Sequence, residues 1–178
     1  MGIPTLISTA TASGASEVDI TSGIDSTYDE YMFVFTDIGP ATDNVHFTFQ
    51  VNAASASGFD ETITSSVFRG YHEEDDSGAS LAYDAGEDQA QGTAYQRLAG
   101  NVGNGSDESA AGILHLFNPS STTYVKHFYA RSNNYEAANY TQDFFTGGYV
   151  NSTSDIDAVQ FAMTSGDFDG KFKMWGVK

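Results

Sequence analysis

Asn44-Val45-His46-Phe47-Thr48-Phe49-Gln50-Val51-Asn52 alternates without a break between polar and apolar side chains. Successive side chains of an extended chain point to opposite faces, so Val45, Phe47, Phe49 and Val51 share one face and the five polar residues share the other. A helix would scatter both sets around its circumference. The stretch is a strand with one buried and one wetted side, and aromatic rings supply much of the buried one. Just upstream, Gly39-Pro40-Ala41-Thr42-Asp43 is a strong turn signal. Before that turn, residues 31–38 are apolar on both faces, with Tyr31, Phe33 and Phe35 on one and Met32, Val34 and Ile38 on the other. Such a strand lies inside two layers or has its second face covered by a partner.

The same alternation carries to the last residue. Strands are expected over 4–8, 17–21, 65–72, 93–102, 111–117, 124–131 and 143–150, around Val159, Phe161 and Met163, and over 171–178. Asn118-Pro119-Ser120-Ser121 turns the chain between 113–117 and 124–131, which makes these two the clearest hairpin. Glu73-Glu74-Asp75-Asp76 places four carboxylates in a row, which cannot share a core and mark an exposed loop tip. Residues 53–58 read as small-residue loop, residues 133–142 as polar loop, and Gly147-Gly148 as a bulge. About ten strands at short intervals, with no helix of ordinary length, predict an all-β fold: an antiparallel β-sandwich of jelly-roll type with little helix. Residues 1–16 are expected to form an extended N-terminal arm and residues 17–178 a single jelly-roll domain.

Composition narrows the function. The 178 residues carry 24 acidic against seven basic side chains, a formal charge of −17. An acidic surface repels phosphate, which argues against nucleic acid and anionic membranes as partners. Five of the seven basic residues (Lys126, Arg131, Lys171, Lys173, Lys178) lie in the last third, so one surface is suited to an acidic neighbour, including another copy of the chain. With no cysteine, disulfide and thiol chemistry are both closed. Residues 1–10 lack the basic start and apolar run of an export signal.

Catalytic and metal-binding patterns are thin. His46, His72, His115 and His127 fall in no arrangement that presets two metal ligands on one element. His46 is expected on the exposed face of its strand, and His115 and His127 as partly buried, hydrogen-bonded residues. Calcium candidates are 73–76, Asp84 with Glu87 and Asp88, Asp155 with Asp157, and Asp167-Phe168-Asp169-Gly170. The last lacks an oxygen ligand at its fifth position, where Lys171 stands, and no Glu closes a twelve-residue loop. These read as turns and solvated charge, so no cofactor or metal is expected. No Gly-x-Ser-x-Gly elbow is present, and no enzymatic activity is expected. Exposed Tyr or Trp stack sugars or anchor interfaces. Tyr135 and Tyr140, in sequence too polar for deep burial, and Trp175, on the closing strand, are the candidate interface or glycan anchors.

Four stretches together resemble small virion structural proteins of tailed bacteriophages from marine and cyanobacterial hosts. They are Ser22-Gly23-Ile24-Asp25-Ser26-Thr27-Tyr28-Asp29-Glu30-Tyr31, Asp88-Gln89-Ala90-Gln91-Gly92-Thr93-Ala94-Tyr95, Gly112-Ile113-Leu114-His115-Leu116-Phe117-Asn118-Pro119 and Lys173-Met174-Trp175-Gly176-Val177-Lys178. The resemblance implies a virion component assembled in the host cytoplasm: a capsid decoration (cement) protein that binds the major capsid protein as a homotrimer, or a tail-fibre or appendage domain that binds host-surface glycan.

Overall fold

The structure, a computed structural model, describes residues 2–54 and 56–178. Met1 of the expected arm and Ser55 of the expected loop over 53–58 lie outside the described residues. Among the described residues the chain forms thirteen strands and no helix. They are β1 (Thr5–Ala15), β2 (Glu17–Ile20), β3 (Glu30–Pro40), β4 (Val45–Ala53), β5 (Ile63–Glu73), β6 (Ala79–Tyr83), β7 (Ala90–Gly92), β8 (Gln96–Val102), β9 (Ala110–Phe117), β10 (Lys126–Glu136), β11 (Tyr140–Val150), β12 (Ile156–Met163) and β13 (Phe168–Val177). All neighbouring pairs are antiparallel, as the alternation predicts.

The smaller layer orders β2-β12-β4-β8, and the larger orders β1-β13-β3-β9-β10-β11-β5, with β6 and β7 both on the far edge of β5. The layers join where Glu136 of β10 pairs with Val102 of β8, and where β1 runs into β2, giving one nearly closed, barrel-like sheet. Aromatic rings fill the space between. Phe161 of β12 lies 5.9 Å from Phe33, 6.4 Å from Phe35, 5.8 Å from Phe47 and 5.0 Å from Phe172, ring centre to ring centre. The decisive stretch behaves as read: Val45, Phe47, Phe49 and Val51 are all buried.

Four sequence readings need correction. First, Ile38 is not on the face of Met32 and Val34. Asp37 takes a left-handed backbone (φ 57°) at a register shift between Phe35 and Ile38, and the extra residue turns Ile38 into the core. Second, residues 133–142 are not loop: β10 and β11 pair continuously to Glu136 and Tyr140 around a three-residue turn closed by Asn139 at φ 65°. Polar inward positions hid these strand ends. Asn134 donates to Gly100 O at 2.9 Å, Thr146 to Arg97 O at 3.0 Å, and Ser132 to Leu98 O. These side chains satisfy the carbonyls along the open edge of β8, where a buried unpaired carbonyl is costly.

Third, Gly147-Gly148 forms no bulge, because β11 keeps an unbroken register with both neighbours. Gly148 faces inward where a Cβ would strike Thr64 O and Ser65. Fourth, the chain has thirteen strands where about ten are expected; β6 and β7 are the unforeseen ones, β6 being exposed throughout and both being supported by β5 alone. The expected N-terminal arm holds β1, which pairs with β13 from Thr5–Gly176 to Ala15–Phe168.

Candidate docking face

The outer sides of the two layers differ. Across the smaller layer, Thr48, Gln50 and Gln160 are buried under the segment that includes residues 87–95. Gln50 donates to the carbonyls of Glu61, Thr93 and Ala94, Tyr95 hydrogen-bonds Gln160, and Arg97 pairs with Glu87. Across the larger layer, no outward side chain of β9 or β10 is buried.

Strand register arranges that bare side in transverse rows. One row reads Trp175, Met32, His115, Tyr129, Gly147, Ser66, and the next reads Lys173, Val34, Ile113, Arg131, Phe145, Phe68, Tyr83. Two ring stacks stand in these rows. His115 lies on Tyr129 at 4.4 Å, and Phe145 on Phe68 at 4.7 Å with the Arg131 guanidinium 4.9 Å from the Phe145 ring centre. Tyr129 is 48% exposed, Phe68 43% and Tyr83 58%. Contiguous aromatic surface without cover is uncommon on a monomeric protein.

Charge on this side is nearly balanced although the chain is strongly acidic. Arg131 pairs with Asp143 at 2.7 Å, Lys171 with Asp37 at 2.7 Å and His115 with Glu30 at 2.5 Å. Lys173 also points outward. The hydrogen bonds to Asp143 and Asp37 hold the Arg131 and Lys171 pKa values above their ordinary range. Two shallow concavities of about 710 and 470 Å³ meet at Arg131, Asn133 and Asp143.

The three sequence-predicted anchors are not brought together. Trp175 and Tyr135 lie on the outer side of the larger layer but at opposite ends; the Tyr135 phenol donates to Asn139 Oδ1 at 3.4 Å, and the Glu74 carboxylate raises its pKa. Tyr140 faces the other way, opposite buried Glu136, with its ring 5.2 Å from that of Tyr71. Sequence reasoning missed Phe68, Phe145, Tyr83 and Arg131 as a group. The available signal was parity: Met32 and Val34 make β3 apolar on its second face, and the outward positions of β10 include Tyr129 and Arg131.

Among the described residues, no three His, Cys, Asp or Glu side chains gather as a metal site. Of the calcium candidates, Asp84 pairs with Arg69, Glu87 with Arg97, Asp157 with Asn52, and Asp169 accepts from the Gly14 N–H, whereas Asp155 Oδ1 and Glu87 Oε2 are buried without a hydrogen-bond partner. His115 is half-buried and hydrogen-bonded as expected, but His127 is exposed, not partly buried, because its strand position points outward beside Tyr149. His46 is half-buried, not exposed, and its Nδ1 accepts from Asn101 N–H at 3.3 Å. Burial, then the nearby Arg97 charge, pushes the His46 pKa down, against the opposing pull of Glu87 and Asp84.

Its folded pKa lies below the unfolded value of about 6.5, so the unfolded chain takes up a proton that the folded chain resists. Stability from neutral His46 is complete above about pH 6.5 and is lost as pH falls below it. Urea denaturation at pH 8 and pH 5 is expected to show a larger drop for the native chain than for His46→Gln. Equal drops would refute the assignment.

No protein-family model, no curated protein and no solved structure matches this chain. Fold and site define the class by themselves: an antiparallel all-β protein whose larger sheet presents an uncovered aromatic face.

Proposed function

We propose that the protein is a structural docking subunit that works by burying the outer face of its larger layer against a protein partner. The observation that carries this reading is the pair of aromatic rows, rich in the Tyr, Trp and Arg that dominate interface energetics. The concavities of this face are shallow, which suits a protein surface better than a small substrate. Following the resemblance, the setting is the virion of a tailed bacteriophage, with the protein decorating and stabilising the outer capsid lattice. The jelly-roll connectivity and the trimer implied by that resemblance belong to this proposal, as does the absence of any catalysed reaction. Gel quantification against the major capsid protein in purified particles tests the role. A copy number in fixed proportion to the capsid lattice supports it, and complete absence from particles refutes it.

A second reading has its own observation. Arg131, Asp143 and Asn133 line the meeting point of the two concavities, between the Tyr129 and Phe145 ring stacks. Polar groups between exposed rings suit a sugar, as in an appendage domain binding host-surface glycan. Only a few copies per particle, together with saturable binding of host polysaccharide lost in Tyr129→Ala, would favour this reading.

A further inference from the structure

We infer that β1 is a self-pairing edge: the β1 strands of two copies of this chain lie antiparallel about a two-fold axis through Ala10, perpendicular to the sheet, and join two larger layers into one. The inference goes beyond the docking reading and uses a different part of the molecule. Three observations carry it.

The first is the bare backbone of β1. The strand pairs with β13 alone, so every second residue directs its N–H and C=O away from β13. From Thr5 to Ser13 none of those groups has another partner among the described residues, and only at Gly14 does Asp169 accept the N–H. Such a row of donors and acceptors specifies its ligand, another extended strand. Elsewhere the chain does serve an open edge, as Ser132, Asn134 and Thr146 serve β8.

The second is what β1 lacks. Free edges are ordinarily kept short or charged. β2 has four residues with Glu17 and Asp19 exposed, β7 has three, and β6 has five between the carboxylates of residues 73–76 and Asp84. β1 runs for eleven residues, none of them charged.

The third is symmetry. β1 keeps a regular register with β13 from Ser8 to Ala12, between one extra residue at Ile7 and another at residues 13–14. Ala10 is the midpoint of that stretch. The two-fold therefore sets each irregularity opposite the other, Thr9 opposite Thr11 of the partner subunit, and Ser8 opposite Ala12 of the partner subunit. Cross-strand Thr pairs are favourable, and an isologous contact needs a patch that complements itself in this way. Like charges are not forced together. Lys173 and Lys171, beside Thr9 and Thr11, lie about three strand spacings, roughly 14 Å, from the facing lysine positions, beyond the ~8 Å Debye length. Glu17 and Asp19 follow the Ala15 end of β1, so those of the two copies stand at opposite ends of the paired strands.

An axis perpendicular to the sheet turns both outer faces the same way. A pair thus presents two aromatic faces to one surface, and a repeating lattice holds it more tightly than one chain. The contact is pairwise, so it links single chains or the proposed trimers alike.

The chain has no cysteine, so a single introduced one reports contact between copies. Ala10→Cys is expected to give a disulfide-linked pair in oxidised glutathione, since facing residues of antiparallel strands lie about 4.5–5.5 Å apart. Leu81→Cys, on exposed β6, controls for random collision and is expected to link more slowly. In sedimentation velocity the native chain is expected to self-associate. Thr9→Glu combined with Thr11→Glu is expected to raise the dissociation constant at least about tenfold. Within one chain the introduced carboxylates face Lys173 and Lys171, whereas across the two-fold they face each other. Unchanged circular dichroism would show that folding is intact. Linking no faster in Ala10→Cys than in Leu81→Cys, no self-association up to the solubility limit, or association indifferent to the double substitution would overturn the inference. Tyr129→Glu is expected to leave the pairing intact, which separates this edge from the docking face; loss of pairing there would also overturn it.

Discussion

Phe161→Ala is expected to lower stability by about 3–5 kcal/mol, the range for truncating a large buried aromatic residue. Phe161 has no exposed surface and joins rings from both layers, Phe33, Phe35 and Phe172 on one side and Phe47 on the other. Its strand is locked between β4 and β2, with Phe161 opposite Phe49 and Val18, so the backbone has little freedom to collapse into the hole. Against a typical total of about 5–15 kcal/mol, such a loss takes much of the native stability. Urea denaturation should show a lower midpoint at an unchanged slope. A loss under about 1 kcal/mol would mean that the two layers are not held together by this ring cluster.

Lys126→Met is expected to cost about 3 kcal/mol, although methionine keeps the apolar stem. Lys126 is fully buried, and its ammonium donates to the carbonyls of Ser121 at 2.5 Å, Ser152 at 3.1 Å and Tyr124 at 3.3 Å. Three protons thus meet three carbonyls that close the turns before β10 and after β11. Burial pushes the Lys126 pKa down, and the carboxylates of Asp155 and Glu61 partly restore it. Methionine leaves all three carbonyls without a donor inside the protein. A thermal melt at or above that of the native chain would show that the ammonium does not brace these turns.

Much of the fold was legible in the chain, for a physical reason. Wherever the inward positions of a strand are apolar, as in β3, β4, β12 and β13, period two marks the strand unambiguously. The alternation disappears where inward positions are polar. Ser132, Asn134, Glu136 and Gln142 face the open edge of β8, so the junction of β10 and β11 looks like loop until its hydrogen-bond partners are known. Ile38 was misplaced by a single extra residue at Asp37, which no pattern of hydrophobicity reveals.

The candidate site was half visible. The second apolar face of β3 already required a cover, and Met32 and Val34 do lie in the aromatic rows. Individual anchors chosen for polar surroundings fared worse. Tyr140 was assigned to a loop, so its parity was undefined, and the structure turns it away from Tyr135 and Trp175. Phe68 and Phe145 stack only because β5 and β11 pair in one register, and the sequence does not specify that pairing.

Binding of Tyr129→Glu to its partner surface probes the docking role at its centre. Tyr129 is outward and half exposed, so the substitution leaves the core alone while burying a charge in any contact made there. Loss of particle association in a variant with native stability is the predicted result. Native particle association by that same folded variant would contradict the assignment of this face.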